Sequence, residues 1–179
     1  MADERHRVFF AVWPDNGIRD LIVAASRPWQ SRFPFRWTSP DKLHLTLAFI
    51  GDVGPDRLAT LLSLGDTLPA PSFDVSLDSL ELWRRPEVLC LAASHTPAAL
   101  QGFVDRLNAI LEAAGFPVEK RPYKPHLTLA RRARQRPEPA APLPPFAWRP
   151  RHWCLAESRP VDPGSPYRIL RSWPLEAML

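Results

Sequence analysis

The sequence has few cysteines and no long apolar segment. Cys90 and Cys154 are the only cysteines among 179 residues, which is too few for a disulfide-stabilised miniprotein. The apolar run after the charged residues 1–7 stops at Pro14, far short of the roughly 18 residues that a membrane span needs. It is also shorter than the apolar part of a secretory signal. The composition therefore predicts a cytoplasmic protein that neither enters nor crosses a membrane.

Glycine is also scarce, with seven residues in the chain. The sequence lacks the glycine-rich phosphate loop of nucleoside triphosphatases. It also lacks the Gly-x-Ser-x-Gly elbow of the common serine hydrolases. These two large enzyme classes are therefore disfavoured.

Apolar and aromatic residues are plentiful, and the charge is unevenly distributed. Hydrophobic residues make up 45% of the chain, enough for the core of one domain spanning residues 1–179. The segment from Lys120 to Arg136 holds seven basic side chains and no acidic one. Arginine suits phosphate oxygens, so the charge permits a phosphate or nucleic-acid partner. Arginine-rich codon usage and an ordinary solvated surface explain the same composition equally well.

Hydrophobic periodicity predicts a mixture of strands and helices without strict alternation, which is typical of an α+β fold. The clearest helix runs from Pro97 to Ala114, with Thr96 as its N-cap and Gly115 as its C-terminal cap. Six prolines between residues 137 and 150 exclude a helix or a central strand there. Two shorter helices are predicted, one at residues 18–25 and one that follows Pro55 and ends near Gly65. Strands are predicted at residues 7–13, 43–50, 73–77, 80–83, 88–92, 126–131, 151–157 and 167–172.

One nine-residue pattern occurs twice. Residues 40–48 read PDKLHLTLA and residues 122–130 read PYKPHLTLA, with seven of nine positions identical. The chain contains five histidines, so a repeat of His44 and His126 in the same frame indicates an internal duplication.

Strand geometry shows what each copy presents. Successive side chains of a strand point to opposite faces, so His44 and Thr46 share one face while the leucines between them point to the core. His126 and Thr128 are paired in the same way in the second copy. Each copy therefore offers an imidazole and a hydroxyl side by side, and the recurring Lys42 and Lys124 are expected to share that face.

Two imidazoles on opposite sides of one phosphorus atom suit acid–base catalysis. Imidazole gives or takes a proton near neutral pH, and an in-line displacement needs a base on one side and an acid on the other. Metal binding is the competing interpretation of paired histidines. The repeat contains no His-Glu-x-x-His, no Cys-x-x-Cys and no carboxylate adjoining the histidines, so we predict neither a metal nor a cofactor.

The doubled His-x-Thr motif with its flanking residues resembles the two-histidine (2H) phosphoesterase superfamily. The branch that it resembles is the bacterial RNA 2′,3′-cyclic phosphodiesterases, historically called 2′–5′ RNA ligases. The resemblance covers most of the chain. It includes the segments Arg7–Val12, His44–Gly51 and Arg121–Tyr123, and the single residues Arg131, Ser158, Gly164, Tyr167 and Trp173.

This resemblance implies a bilobal, pseudo-two-fold arrangement of two antiparallel-rich sheets, with helices outside and the two motifs lining a central cleft. It also implies metal-independent hydrolysis of RNA 2′,3′-cyclic phosphate ends to 2′-phosphate ends. His44 would be the proton donor and His126 the proton acceptor, an assignment that the near-symmetric motifs do not make by themselves. Thr46, Thr128 and Arg131 would bind the substrate, and 2′–5′ ligation would be a weak reversal.

Two other functions fit the same residues. One is a cyclic phosphodiesterase for a small nucleotide, and the other is a non-catalytic protein that binds RNA ends. In each case we expect a monomer with RNA ends or small cyclic-phosphate nucleotides as its partners. Phe10 and Trp13 are candidates for base stacking, although an aromatic residue in a buried strand more often belongs to the core. The remaining histidines, His6, His95 and His152, are predicted to lie at the surface.

Overall fold

The computed structural model describes residues 5–139, 142–159 and 167–176. Within these ranges the chain forms three α-helices and ten β-strands. The helices are α1 (Asn16–Gln30), α2 (Pro55–Thr67) and α3 (Ala98–Ala113). The strands are β1 (His6–Val12), β2 (Arg36–Trp37), β3 (Leu45–Val53), β4 (Val75–Leu77), β5 (Ser79–Trp83), β6 (Val88–Ala92), β7 (His126–Arg131), β8 (Phe146–Trp148), β9 (His152–Ser158) and β10 (Tyr167–Pro174).

Eight of these strands form one antiparallel sheet in the order β10-β9-β1-β3-β7-β6-β5, with β2 also paired to β7. Strands β4 and β8 form a separate antiparallel pair. The mixed class with mostly antiparallel sheets is thus confirmed, whereas the division into two lobes stays a prediction. The motif strands β3 and β7 are neighbours in the middle of the sheet and meet through the single pair Leu45 and Leu127.

The helices cover one face of the large sheet. In β1, Val8, Phe10 and Val12 are fully buried in the main core together with the apolar residues of all three helices. Of the two alternatives for Phe10, the core position is confirmed and base stacking is excluded, because its ring packs at 5.3 Å from that of Trp153 inside this core. Phe9 and Ala11 point to the opposite face, where they form a second, smaller apolar cluster.

Helix α3 begins one residue later than predicted. Pro97 is extended (φ −58°, ψ 138°) and itself occupies the N-cap position, where its side chain makes no capping hydrogen bond. The expectation that Thr96 caps the helix is wrong, because Pro97 is itself extended and the helical conformation begins only at Ala98. The other end agrees with the prediction, since Gly115 has a φ of 75° and donates its N–H to the carbonyl of Glu112.

In its described part, residues 137–139 and 142–150, the proline-rich stretch contributes one short strand, β8, which pairs there with β4. It lies outside the large sheet, as the prolines predict. Gly164, one of the residues in the family resemblance, lies outside the described residues.

Candidate active site

A cavity of about 360 Å³ opens where β3 and β7 meet, on the face of the sheet that the helices leave uncovered. The alternation predicted from sequence holds, since Leu45 and Leu127 are fully buried in the core on the other face. All five predicted site residues line this cavity. They are His44, Thr46, His126, Thr128 and Arg131.

Both imidazoles are held in the same way. Nδ1 of His44 lies 2.7 Å from the carbonyl oxygen of Lys42, and Nδ1 of His126 lies 2.9 Å from that of Lys124. A carbonyl oxygen only accepts hydrogen bonds, so each Nδ1 carries the proton that it donates. Nε2 is therefore the nitrogen of each ring that is left to exchange a proton with a bound molecule.

Aromatic rings surround His44. Its ring centroid lies 4.9 Å from that of Phe9, 5.3 Å from Trp13 and 5.2 Å from Tyr167. Burial among these rings lowers the pKa of His44, against the hydrogen bond to the Lys42 carbonyl, which raises it. The charges of His126 and Arg131 lower this pKa further. Trp13, a sequence candidate for base stacking, thus lies beside His44, and its stacking on a base stays a prediction.

His126 has a different environment. The ring of Trp83 lies 4.5 Å from its own, and burial lowers the pKa of His126 as well. The hydrogen bond to the Lys124 carbonyl and the negative charge of Glu81 act in the opposite direction and favour the imidazolium. The two histidines therefore share a tautomer but differ in the charge beside them.

Glu81 connects the groups that hold His126. One carboxylate oxygen accepts a hydrogen bond from Nζ of Lys124 at 2.6 Å, and the other accepts from Nε1 of Trp83 at 2.8 Å. Lys124 supplies the carbonyl that orients His126, and Trp83 packs against its ring. The predicted placement of Lys124 beside Lys42 is therefore not observed, because Lys42 lines the cavity whereas Lys124 is ion-paired to Glu81.

A β-bulge brings Arg131 to the cavity. Strict alternation from His126 would place Arg131 on the opposite face. In the pairing with β6, however, Thr128 faces Cys90 and Ala130 faces Leu89, so Leu129 is an extra residue. An extra residue reverses the alternation that follows it, so Ala130 is buried and Arg131 points into the cavity.

Tyr123 ties the second motif to the first. Its hydroxyl donates a hydrogen bond of 3.0 Å to the backbone carbonyl of Thr46, and its burial raises the pKa of the phenol. The corresponding position of the first copy is Asp41, so this link has no counterpart there. It fixes the spacing of the two His-Thr pairs.

The sequence did not identify several residues of the cavity wall. Tyr167 belongs to the family resemblance, but nothing in its own segment indicated a place beside His44. Four further lining residues lie directly before the first motif, in a segment whose sequence has no periodicity that would indicate a functional role. They are Arg36, Trp37, Thr38 and Ser39.

Outside the cavity, the prediction for His6 is wrong. Its Nδ1 lies 2.6 Å from the buried carboxylate of Glu157, an interaction across strands that sequence spacing does not show. His95 and His152 are exposed, as predicted. Cys90 is buried and Cys154 is partly exposed.

Two observations concern only the part of the chain that the structure describes. None of its helices has the length and apolar character that crossing a bilayer requires. Nor does it bring together three or more histidine, cysteine or carboxylate side chains in a group able to hold a metal ion.

Comparison with protein families gives a match over both halves of the chain. The family model described as LigT-like phosphoesterase matches residues 12–90 and again residues 91–167. The RNA 2′,3′-cyclic phosphodiesterase of Escherichia coli (strain K12) is 32% identical over 151 residues, which cover 81% of each chain. The protein of the same name from Bacillus subtilis (strain 168) is 32% identical over 142 residues, or 74% of each chain.

Solved structures agree with this match. The crystal structure of E. coli LigT complexed with 3′-AMP has a TM-score of 0.81 at 29% identity, covering 96% of this chain and 99% of that one. The protein TT0787 of Thermus thermophilus has a TM-score of 0.74 at 27% identity, covering 96% and 98% of the respective chains.

Proposed function

The chain belongs to the LigT-like phosphoesterase family, and from this membership and its cavity we propose that it hydrolyses 2′,3′-cyclic phosphate ends of RNA. The products are a 2′-phosphate and a free 3′-hydroxyl. Relatives named RNA 2′,3′-cyclic phosphodiesterase support this substrate. The chemistry would come from the two histidines and need no metal ion.

The observation that carries the proposal is the matched orientation of the two imidazoles. Each Nδ1 donates to a backbone carbonyl, so two Nε2 atoms remain available in one cavity. Nε2 of His126 takes a proton from water as the water oxygen forms its bond to phosphorus. The bond from phosphorus to the 3′ oxygen breaks, and Nε2 of His44 gives its proton to that oxygen. Proton exchange with solvent then restores both rings.

The charges around the rings support this division of roles. His126 becomes positively charged when it acts as the base, and the nearby carboxylate of Glu81 stabilises that imidazolium. His44 starts protonated, in an apolar environment that lowers its pKa and so favours release of the proton.

Three further side chains would hold the phosphoryl group. The hydroxyls of Thr46 and Thr128 are neutral donors beside the rings, and Arg131 supplies a positive charge to the same cavity. Negative charge develops on the non-bridging oxygens during the displacement, and donors placed in advance lower its energy.

The test is to incubate the protein in EDTA with an oligoribonucleotide ending in a 2′,3′-cyclic phosphate and to follow the product by ³¹P NMR. We expect a 2′-monoester. His44→Ala and His126→Ala should each lower kcat by about 10²–10⁴-fold with little change in substrate binding.

The matched control is His152→Ala, which removes an exposed histidine outside the cavity and should leave kcat unchanged. Tight binding without turnover would instead identify a protein that only binds RNA ends. Loss of activity in EDTA would show that the reaction requires a metal.

A further inference from the structure

The proposed reaction changes the charge of the phosphorus group. A 2′,3′-cyclic phosphate is a diester and carries a single negative charge. When the water oxygen has bound phosphorus and the 3′ oxygen has left with the proton of His44, the product is a monoester that keeps the second proton of the water. This proton dissociates with a pKa of about 6, so the product carries about two negative charges above pH 7. The same cavity therefore meets ligands of different charge before and after the reaction.

Three cationic side chains line this cavity, and the catalytic role proposed above uses only Arg131. The others are Arg36 and Lys42. Arg36 and Arg131 are register partners in the pairing of β2 with β7, so their side chains lie next to each other on the face that carries the cavity. Like charges directly opposite each other destabilise a pair of strands, and a bound anion offsets that repulsion.

Among the described residues, no carboxylate is ion-paired to these three cations. Carboxylates do lie near the cavity, but they do not line it. Glu81 acts on His126 through its charge and is itself bound to Lys124. Burial raises the pKa of Tyr167, and the charge of Asp41 adds to this effect. The cationic side chains are therefore left to attract an anion.

The field of Arg131 extends over both catalytic rings. Burial lowers the pKa of His44 and of His126, and the charge of Arg131 lowers both values further. This guanidinium therefore acts on the space between the two rings, where the phosphorus group would be bound. A second negative charge in that space gains an attraction of its own to each cation.

We propose that the cavity binds phosphate monoester ends more tightly than cyclic phosphates, so that the product is a competitive inhibitor of the reaction. The inference rests on the proposed function and concerns the regulation of the same site. Arg36 and Lys42 bind the additional charge of the monoester, whereas Arg131 binds either ligand. Hydrolysis therefore slows as monoester ends accumulate, and it continues where a phosphomonoesterase reaction removes them.

The experiment compares two ligands that differ by one charge. They are 3′-deoxyadenosine 2′-phosphate and its methyl ester, which lack the 3′-hydroxyl that is needed to form a cyclic phosphate and are therefore not turned over. Isothermal titration calorimetry gives both dissociation constants at about pH 7.5, where the monoester has lost its second proton. We expect the monoester to bind about tenfold more tightly than the methyl ester, or better.

The double variant Arg36→Gln/Lys42→Gln should reduce this ratio to about threefold or less, because it removes the two charges that favour the monoester. The backbone carbonyl of Lys42 that holds His44 is retained. The matched control is Arg27→Gln/Arg106→Gln. It removes the same charge from exposed positions on α1 and α3, which cover the other face of the sheet, and should leave the ratio unchanged.

Salt tests the wild-type chain without any substitution. Raising the salt concentration from about 0.1 M to about 1 M shortens the screening length from about 10 Å to about 3 Å, so the ratio should fall.

A wild-type ratio near one, or a ratio that does not respond to salt, would overturn the inference. So would an unchanged ratio in Arg36→Gln/Lys42→Gln, or an equal fall in the control, because the net charge of the protein would then set the ratio. Failure of the wild-type chain to hydrolyse the oligoribonucleotide cyclic phosphate would instead overturn the proposed function, since the calorimetric comparison does not depend on turnover.

Discussion

At the residue scale, two identical motifs acquire different properties from their neighbours. His44 and His126 share a backbone hydrogen bond, but aromatic rings surround the first and a carboxylate lies near the second. The side-chain alternation was predictable from the motif, because strand geometry dictates it. The contacts of the imidazoles with the carbonyls of Lys42 and Lys124 lie within the motifs, but they depend on a backbone conformation that the alternation does not specify. The Trp83–Glu81 pair was not predictable either, since it belongs to a strand that sequence spacing does not relate to the motifs.

This difference leads to a prediction about Glu81. Its negative charge raises the pKa of His126, so Glu81→Gln should lower that pKa. The acidic limb of the kcat/KM profile should move to lower pH if His126 is the base. The shift is measured by NMR titration of the His126 ring.

Glu119→Gln is the matched control, because Glu119 is an exposed carboxylate paired with Arg121 and should leave the titration unchanged. An increase in the pKa of His126 in Glu81→Gln would show that the carboxylate acts mainly through the orientation of Trp83 and Lys124.

At the element scale, a bulge recurs at the same place in both motif strands. Leu129 is the extra residue in β7 opposite β6, and Leu47 is the extra residue in β3 opposite β1. Because the residues themselves show no break in the alternating pattern, the sequence predicted the strands but not the bulges. For the same reason, the face of the sheet to which the Arg131 side chain points was the least predictable part of the site.

Packing between elements gives a prediction for α2. A Cβ on Gly65 would overlap the indole of Trp173 on β10, which packs on Trp153 and donates a hydrogen bond to Asp66. The indole has little room to move, so Gly65→Ala should lower the free energy of unfolding by about 1–3 kcal/mol. Urea unfolding measures this change.

Gly102→Ala in α3 is the comparison. Its Cβ would meet only Arg106 at 3.6 Å, so the better helix propensity of alanine should raise the unfolding free energy by up to about 1 kcal/mol. An unchanged or increased stability of Gly65→Ala would show that α2 can shift away from β10.

At the scale of the whole molecule, the two halves influence each other electrostatically. Burial lowers the pKa of both histidines, and the charge of His126 lowers that of His44 further. A reaction that needs one ring neutral and one protonated should therefore show a bell-shaped kcat/KM profile with its maximum below the ordinary histidine value of about 6.5. This expectation is tested by initial rates measured from roughly pH 4 to pH 9, a range that brackets the titration of imidazole. The buffers are kept at constant ionic strength. A maximum above pH 7 would contradict it.

The duplication made much of the overall arrangement predictable. The repeated motif predicts two strands, each with leucines buried on one face and a histidine and a threonine on the other. Strands β3 and β7 have this arrangement and are neighbours in the sheet. Strand β2 was not predicted, because two residues carry no periodicity, and β8 was not predicted, because it lies in the proline-rich stretch.

The repeated bulge also leaves the two motif strands with chemically unlike ends. The position that Arg131 occupies after the second bulge is taken by Phe49 after the first, where Phe49 pairs with Phe9. Arg131 lines the cavity, whereas Phe49 is exposed and its ring lies 5.1 Å from the guanidinium of Arg7. Two nearly identical sequence motifs therefore do not present the same charge to a bound anion.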